Sequence, residues 1–158
     1  MYNKEELDEI DRSILNVLMQ DANTPYVDIA KGIHVSAGTV HVRMKKMIRM
    51  GIVKKAFLNV DYTKLGYDIS AFLGIYLEKS AMYPLVIDAL YKIPEVVNAH
   101  YTTGNYSILA KIICRNTDDL KRVLYEHIQN IEGIQRMESF ISMEESIHRT
   151  IAIKDANE

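Results

Sequence analysis

The residues able to do chemistry are few, and their spacing points to binding rather than to catalysis. His34, His41, His100, His127 and His148 are scattered, without the i, i+4 pairing or the cysteine partners of a metal site. The single cysteine, Cys114, ends an apolar run, where a small buried side chain is the ordinary role. It also excludes an internal disulfide or a multi-thiolate site within one chain. There is no glycine-rich loop to cradle phosphate and no nucleophile elbow. The expectation is no catalytic residue, no metal ligand and no resident cofactor.

Positive charge is the stronger signal. Residues 1–60 hold nine Lys/Arg against seven Asp/Glu, and residues 61–158 hold ten against fourteen, so a net charge of −2 conceals a divided chain. Within 40–55 stand Arg43, Lys45, Lys46, Arg49, Lys54 and Lys55 with no acid among them. A charge run is usually a solvated helix face. Its confinement to one stretch of an acidic chain makes a polyanion the partner to test.

At 158 residues, 48% hydrophobic and 25% charged, the chain has the balance of one globular domain or two small ones. Its longest apolar run, Ala71 to Leu77, is far short of the ~20 residues of a membrane span. The opening stretch, residues 1–6, is polar and acidic, with no apolar core for export. No membrane association and a cytoplasmic location are expected.

The elements that must position the basic run follow from periodicity. Ile10, Ile14, Val17 and Leu18 fall on one helical stripe, with Asp8, Glu9 and Asp11 at its start and Asn23-Thr24-Pro25 as its stop. A second helix, about Tyr26 to Ile33, should bury Val27, Ala30 and Ile33. His34-Val35 is a tight connection. Ser36 is a good N-cap for a third helix that reaches about Met50 and is stopped by Gly51. Three short helices joined by tight turns, the last one basic, describe a helix-turn-helix unit.

Beyond it, Ile52-Val53 and Ala56 to Val60 read as strand-like, and 61–68 reads as a polar linker. Ile69 to Leu77 alternates as a strand. Leu85 to Ile93 has helical spacing, Val96 to Thr102 and Tyr106 to Cys114 form a hairpin across Thr103-Gly104-Asn105, and Leu120 to Ile131 is a second helix with Thr117 as N-cap. Ile134 to Met143 is the last strand. The fold class is α+β: a head at 1–60, a linker at 61–68, and a ferredoxin-like βαββαβ domain at 69–158. Phe72, Tyr76, Leu109 and Ile113 put apolar side chains on the sheet face away from the helices, where polar residues belong if water covers it. A second copy of the same sheet, in an isologous homodimer, would cover it.

Several segments together resemble the Lrp/AsnC family of transcriptional regulators, the AsnC type most closely. They are Leu7-Asp8-Glu9-Ile10-Asp11-Arg12-Ser13-Ile14-Leu15, Asp28-Ile29-Ala30, Val35-Ser36, Thr39-Val40-His41-Val42-Arg43, Gly51-Ile52-Val53, Leu65-Gly66-Tyr67-Asp68 and Tyr101-Thr102-Thr103-Gly104-Asn105-Tyr106-Ser107, with Ile128-Gln129 and Ile134-Gln135. The match runs from about Leu7 to Thr150. The resemblance implies a winged helix-turn-helix head, an amino-acid-sensing body, and dimers assembling into discs, often octamers. It departs in two places: His34 replaces the usual turn glycine, and Ala37 replaces the usual proline at the start of the third helix. A positive φ is expected at His34, which histidine tolerates better than a β-branched residue.

Helix-turn-helix geometry puts the start of the third helix against base edges of double-stranded DNA. Ser36, Ala37, Gly38, Thr39, His41, Val42 and Arg43 are then the base-facing candidates, with Arg43 reading guanine, and Lys45, Lys46 and Arg49 meet phosphates. The resemblance places an amino-acid effector at the second-domain hairpin. There Tyr101 and Tyr106 would be walls, Thr102, Thr103 and Gly104 would hold the carboxylate, and Gln129 and Ser139 would pair with the carboxamide of asparagine or glutamine. Arg136 and Glu138 leave a charged effector open. The expected function is control of amino-acid-metabolism genes. The alternative is an amino-acid-sensing or assembly module whose DNA binding is secondary.

Overall fold

Asp8 starts the first helix, α1 (Glu9–Gln20), because its carboxylate accepts the Asp11 amide at 2.9 Å while Asp11 accepts the Asp8 amide in return. This reciprocal cap is seen in a computed structural model that describes residues 7–154. The polar opening at 1–6 and the last residues, 155–158, lie outside the described residues.

α2 (Tyr26–Gly32) begins after Pro25 and buries Ile29 and Ala30. Val27, expected in that core, is 53% exposed, and Ile29 takes the inward position. His34 has φ 57°, as expected of a residue standing in a glycine's place, and it is the one non-glycine with positive φ among the described residues. The turn closes where the Val35 amide meets the Ala30 carbonyl at 3.0 Å. Ser36 then caps α3 (Ala37–Arg49), its Oγ accepting the Thr39 amide at 3.0 Å, and Gly51 ends the helix region with φ 72°. Ile14, Leu15, Ile29, Ala30, Val40, Met44 and Met47 form the core shared by the helices.

Residues 52–60 form no strand, contrary to the expectation for Ile52-Val53 and Ala56–Val60. A strand needs a hydrogen-bonded neighbour, and no described residue pairs with this stretch. Phe57 and Leu58 are consequently 82% and 83% exposed.

The following elements are β1 (Ile69–Leu77), α4 (Tyr83–Tyr91), β2 (Val96–Tyr101), β3 (Ile108–Cys114), α5 (Thr117–Arg122 continued by Val123–Ile128) and β4 (Ile134–Ile141). The four strands lie in the order β2-β3-β1-β4, antiparallel throughout, which is the ferredoxin-like topology. Alternation decides the faces. Ala71, Leu73, Ile75 and Leu77 of β1, with Ile108, Ala110, Ile112 and Cys114 of β3, join Val86 and Leu90 of α4 and Leu120, Val123 and Ile128 of α5 in one core. Both helices therefore cover the same side of the sheet. α5 is capped by Asn116, whose Oδ1 accepts the Asp119 amide at 2.9 Å; Thr117 lies one residue inside the helix. It runs as an α-helix over Thr117–Arg122 and widens to i→i+5 bonding over Val123–Ile128, ending where the Gln129 amide meets the Leu124 carbonyl at 2.9 Å.

The chain forms two compact units. Among the described residues one comprises 7–59 together with 147–154, and the other is Val60–Ser146. The stretch 61–68, read as a linker, belongs to the second unit: it holds a 3₁₀ turn at Thr63–Leu65, and Asp68 donates its amide to the Arg115 carbonyl at 3.2 Å. The tail at 147–154, read as part of the second domain, packs in the same compact unit as the head. Asn16 explains this. Its side-chain amide donates to the Ile153 carbonyl at 3.0 Å and accepts the Ile153 amide at 2.8 Å, while the Ile153 side chain packs on the helical core.

Candidate nucleic-acid interface and effector region

α3 turns Val40, Met44 and Met47 inward, which leaves Gly38, His41, Val42, Lys45, Ile48 and Arg49 exposed along one stripe of the helix. Ser36 is exposed at the head of that stripe. Ala37, Thr39 and Lys46 are half-buried at its margins. Ser36 Oγ and Thr39 Oγ1 are 2.9 Å apart, so both hydroxyls serve the cap. The His41 ring lies 6.1 Å from the Tyr26 ring of α2. Lys45, Lys46 and Arg49 form no ion pair among the described residues, so their charge is free to face outward. Lys54 and Lys55 lie on exposed backbone just beyond.

Arg43 does not join the stripe. Its Nη1 turns back to α1, 3.0 Å from Asp11 Oδ1 and in contact with Asp8 Oδ2 as well. Asp11 is 1% exposed. These hydrogen bonds raise the Arg43 guanidinium pKa, and Asp8 is lowered, chiefly by the Asp11 amide and also by Arg43. The side chain read as the guanine reader is thus the one whose charge is already committed within the head. The sequence signal existed: two carboxylates in the first turn of α1 sit on a face that must pack somewhere.

The residues read as an effector site are only partly brought together. Thr102 Oγ1 donates to the Tyr106 carbonyl, so that hydroxyl closes the hairpin. Thr103 and Gly104 are exposed, and a Cβ at Gly104 would meet nothing within 4 Å. Tyr101 and Tyr106 do not face each other. Tyr101 packs on Tyr83, at the start of α4, with ring centroids 4.5 Å apart, while Tyr106 lies on the opposite face of the sheet over Gly74. Gln129 is exposed at the end of α5, and Ser139 is exposed on β4, the edge opposite β2.

The open sheet face carries a polar knot that sequence reasoning missed. Tyr106 Oη donates to Glu138 Oε2 at 2.9 Å, and Tyr76 Oη donates to Glu138 Oε1 at 3.2 Å. The Arg136 guanidinium stacks 3.9 Å from the Tyr76 ring centroid and comes within 3.5 Å of Glu138. The hydrogen bond to Glu138 pushes the Tyr106 phenol upward. Phe140 and Phe72 flank the knot and are 47% and 38% exposed, with Lys111 over the Phe72 ring. The pairing of Gly74 with Glu138 and of Tyr76 with Arg136 could have located it, had the register been known.

Cys114 is fully buried, and desolvation pushes its thiol up to about 11. Among the described residues no group of three or more His, Cys, Asp or Glu side chains is placed to hold a metal ion, and no helix is long and apolar enough to cross a membrane.

Comparison with known proteins also finds two regions, the second of which reaches into the stretch that packs with the head. Residues 7–54 match the winged helix-turn-helix DNA-binding model, and residues 70–152 match the Lrp/AsnC ligand binding domain. The regulatory protein AsnC of Escherichia coli K12 is 44% identical over 145 residues, which is 92% of this chain and 95% of that protein. The structure of E. coli AsnC superimposes with a TM-score of 0.87 at 42% identity, covering 94% of this chain and 99% of that one. A Neisseria meningitidis transcriptional regulator solved with L-Met shares the fold, with a TM-score of 0.88 at 19% identity over 96% of this chain and 99% of that one. The chain belongs to the Lrp/AsnC family of transcriptional regulators, with a winged helix-turn-helix region for DNA followed in sequence by the family's ligand-binding domain.

Proposed function

We propose that this regulator grips duplex DNA with the exposed stripe of α3 and answers to a free amino acid bound at the hairpin between β2 and β3. The observation that carries the DNA half is the pairing of an outward helix face with Lys45, Lys46 and Arg49, none of them neutralised by a described carboxylate. Such a face meets a phosphate backbone on both sides of a groove. Ser36, Ala37, Gly38, Thr39, His41 and Val42 stand nearest the bases, and Arg43 supports the helix from behind.

The effector half rests on exposed backbone at Thr103 and Gly104, able to meet a carboxylate, and on the carboxamide-matching groups of Gln129 and Ser139. Ser139 lies on the sheet edge opposite β2, so a site that uses both it and the hairpin is completed by a neighbouring copy. The Neisseria regulator's L-Met supports an amino acid as the class of ligand, and the amide and hydroxyl favour asparagine or glutamine. Homodimers built on the open sheet face, assembling up to an octamer, would supply paired heads for a two-fold operator. Genes of amino-acid metabolism are the fitting targets, and the cytoplasm is the fitting location.

The test is binding of promoter fragments by the full chain, with each amino acid titrated in turn. Salt-dependent binding that shifts with asparagine or glutamine is expected. Absence of any DNA binding at low salt overturns the first half, and indifference to all twenty amino acids overturns the second.

A further inference from the structure

We infer that Val42 is a specificity residue that reads the 5-methyl group of a thymine in the major groove. This rests on the DNA-binding reading above and deepens it. Val42 is 64% exposed, yet it stands in the middle of a stripe whose other members are glycine, histidine, lysine and arginine apart from Ile48 at its far end. The described residues of the head leave most of it open.

Its surroundings are shaped for close approach. Gly38, one turn before it, has no side chain, and a Cβ there would touch only Ser36 Oγ at 3.6 Å. Helical side chains lean toward the N-terminus, so the Val42 methyls overhang that bare turn. Val42 is also a ridge between two shallow depressions. One, of about 640 Å³, is lined by Asp8, Gly38, Thr39, Val42, Arg43 and Lys46. The other, of about 370 Å³, is lined by Val42, Lys45, Ile48 and Arg49. A β-branched side chain in a helix is nearly fixed in one rotamer, so it meets a partner with little loss of freedom.

The partner must be anionic overall, to suit Lys45, Lys46 and Arg49, and must still offer an apolar group at the centre of the contact. The major groove does both: phosphates line its walls, and thymine alone among the DNA bases projects a methyl group into it. The competing way of reading a base from this helix, a guanidinium on guanine, is closed to Arg43 by its bonds to Asp8 and Asp11.

Duplexes that bind the full-length protein are selected from a random library, and their thymines are replaced one at a time by deoxyuridine, which deletes only the methyl. Affinities are read by fluorescence anisotropy for the wild type and for Val42→Ala. In the wild type one thymine per half-site is expected to matter, its replacement weakening binding about fourfold, the worth of one buried methyl. In Val42→Ala, a change at a position 64% exposed, the thymine and deoxyuridine duplexes are expected to bind equally. Sequence-specific, salt-dependent binding with no effect of deoxyuridine at any position overturns the inference and leaves the DNA-binding reading standing. A deoxyuridine effect of the same size in Val42→Ala does so too. Failure to bind any library duplex overturns both.

Discussion

Arg43 Nη1 sits 3.0 Å from Asp11 Oδ1, and that carboxylate is all but sealed from water, at 1% exposure. The pair spans the two helices that a DNA-reading head must hold at a fixed angle. Asp11 serves the α1 cap at the same time, so one buried carboxylate joins the start of α1 to the middle of α3. Isolated surface pairs contribute little, but a buried carboxylate robbed of its partner is expensive.

Replacing Arg43 by alanine should therefore cost about 3 kcal/mol of head stability, read as a lowered melting temperature. Arg43→Lys should recover part of it. Asp11→Asn in the Arg43→Ala background should lose less than the two single changes added together, because the buried charge is gone. Among selected duplexes Arg43→Ala should weaken all sequences alike at temperatures where it remains folded.

The Tyr106 ring occupies the space above Gly74, where a Cβ would come within 2.4 Å of it. Gly74→Ala should displace the ring, break its bond to Glu138 and destabilise the second unit by roughly 2 kcal/mol. Tyr106→Phe, which removes only the hydroxyl, should cost less. Thermal unfolding of the two variants gives the comparison.

Cys114 combines complete burial with a thiol raised to about 11. The thiolate is the reactive species, so a thiol reagent at pH 8 should label the native protein very slowly and label it stoichiometrically in denaturant. Rapid labelling of the folded protein would contradict the burial.

Two helix starts are acid-sensitive. Asp8 is held below its ordinary 3.8 mainly by the Asp11 amide, and Asp119 by the Arg122 side chain that it shares with Glu95. A carboxylate with a lowered folded pKa binds its proton more readily when unfolded. Its contribution is complete above the unfolded value and lost as the pH falls through the folded one. Stability should thus be flat from neutral pH down to about pH 5 and decline below about 4. Asp8→Asn, which keeps an acceptor for the cap, should flatten that decline for the head, as followed by chemical denaturation across the range.

The helices and strands were legible because periodicity and caps are local. Asp8, Ser36 and Gly51 act within a few residues of themselves, and the alternation from Ala71 to Leu77 needs no knowledge of its neighbours. The positive φ at His34 was legible from the resemblance, because the residue stands where the family keeps a turn glycine. What escaped depended on distant partners. Arg43 and Asp11 are 32 residues apart, and the same arginine spacing serves equally for a base or a carboxylate. Tyr101 and Tyr106 flank one hairpin, yet the backbone between them sends the rings to opposite faces. Ala56 to Val60 has the composition of a strand, but pairing belongs to two segments and cannot be read from one. The return of Ile153 was invisible for the same reason: an asparagine in mid-helix announces no partner.

That return has a consequence for the order in which the molecule can be made. Chains fold as units when enough of each has been synthesised, beginning from the N-terminus. Here the three helices of the head are translated before the second unit, which lies as an insertion between them and 147–154. Ile153, which satisfies both arms of the Asn16 amide, is translated after that insertion. The head, begun before the second unit, is completed after it, so a nascent chain acquires its finished head only once the second unit has been made.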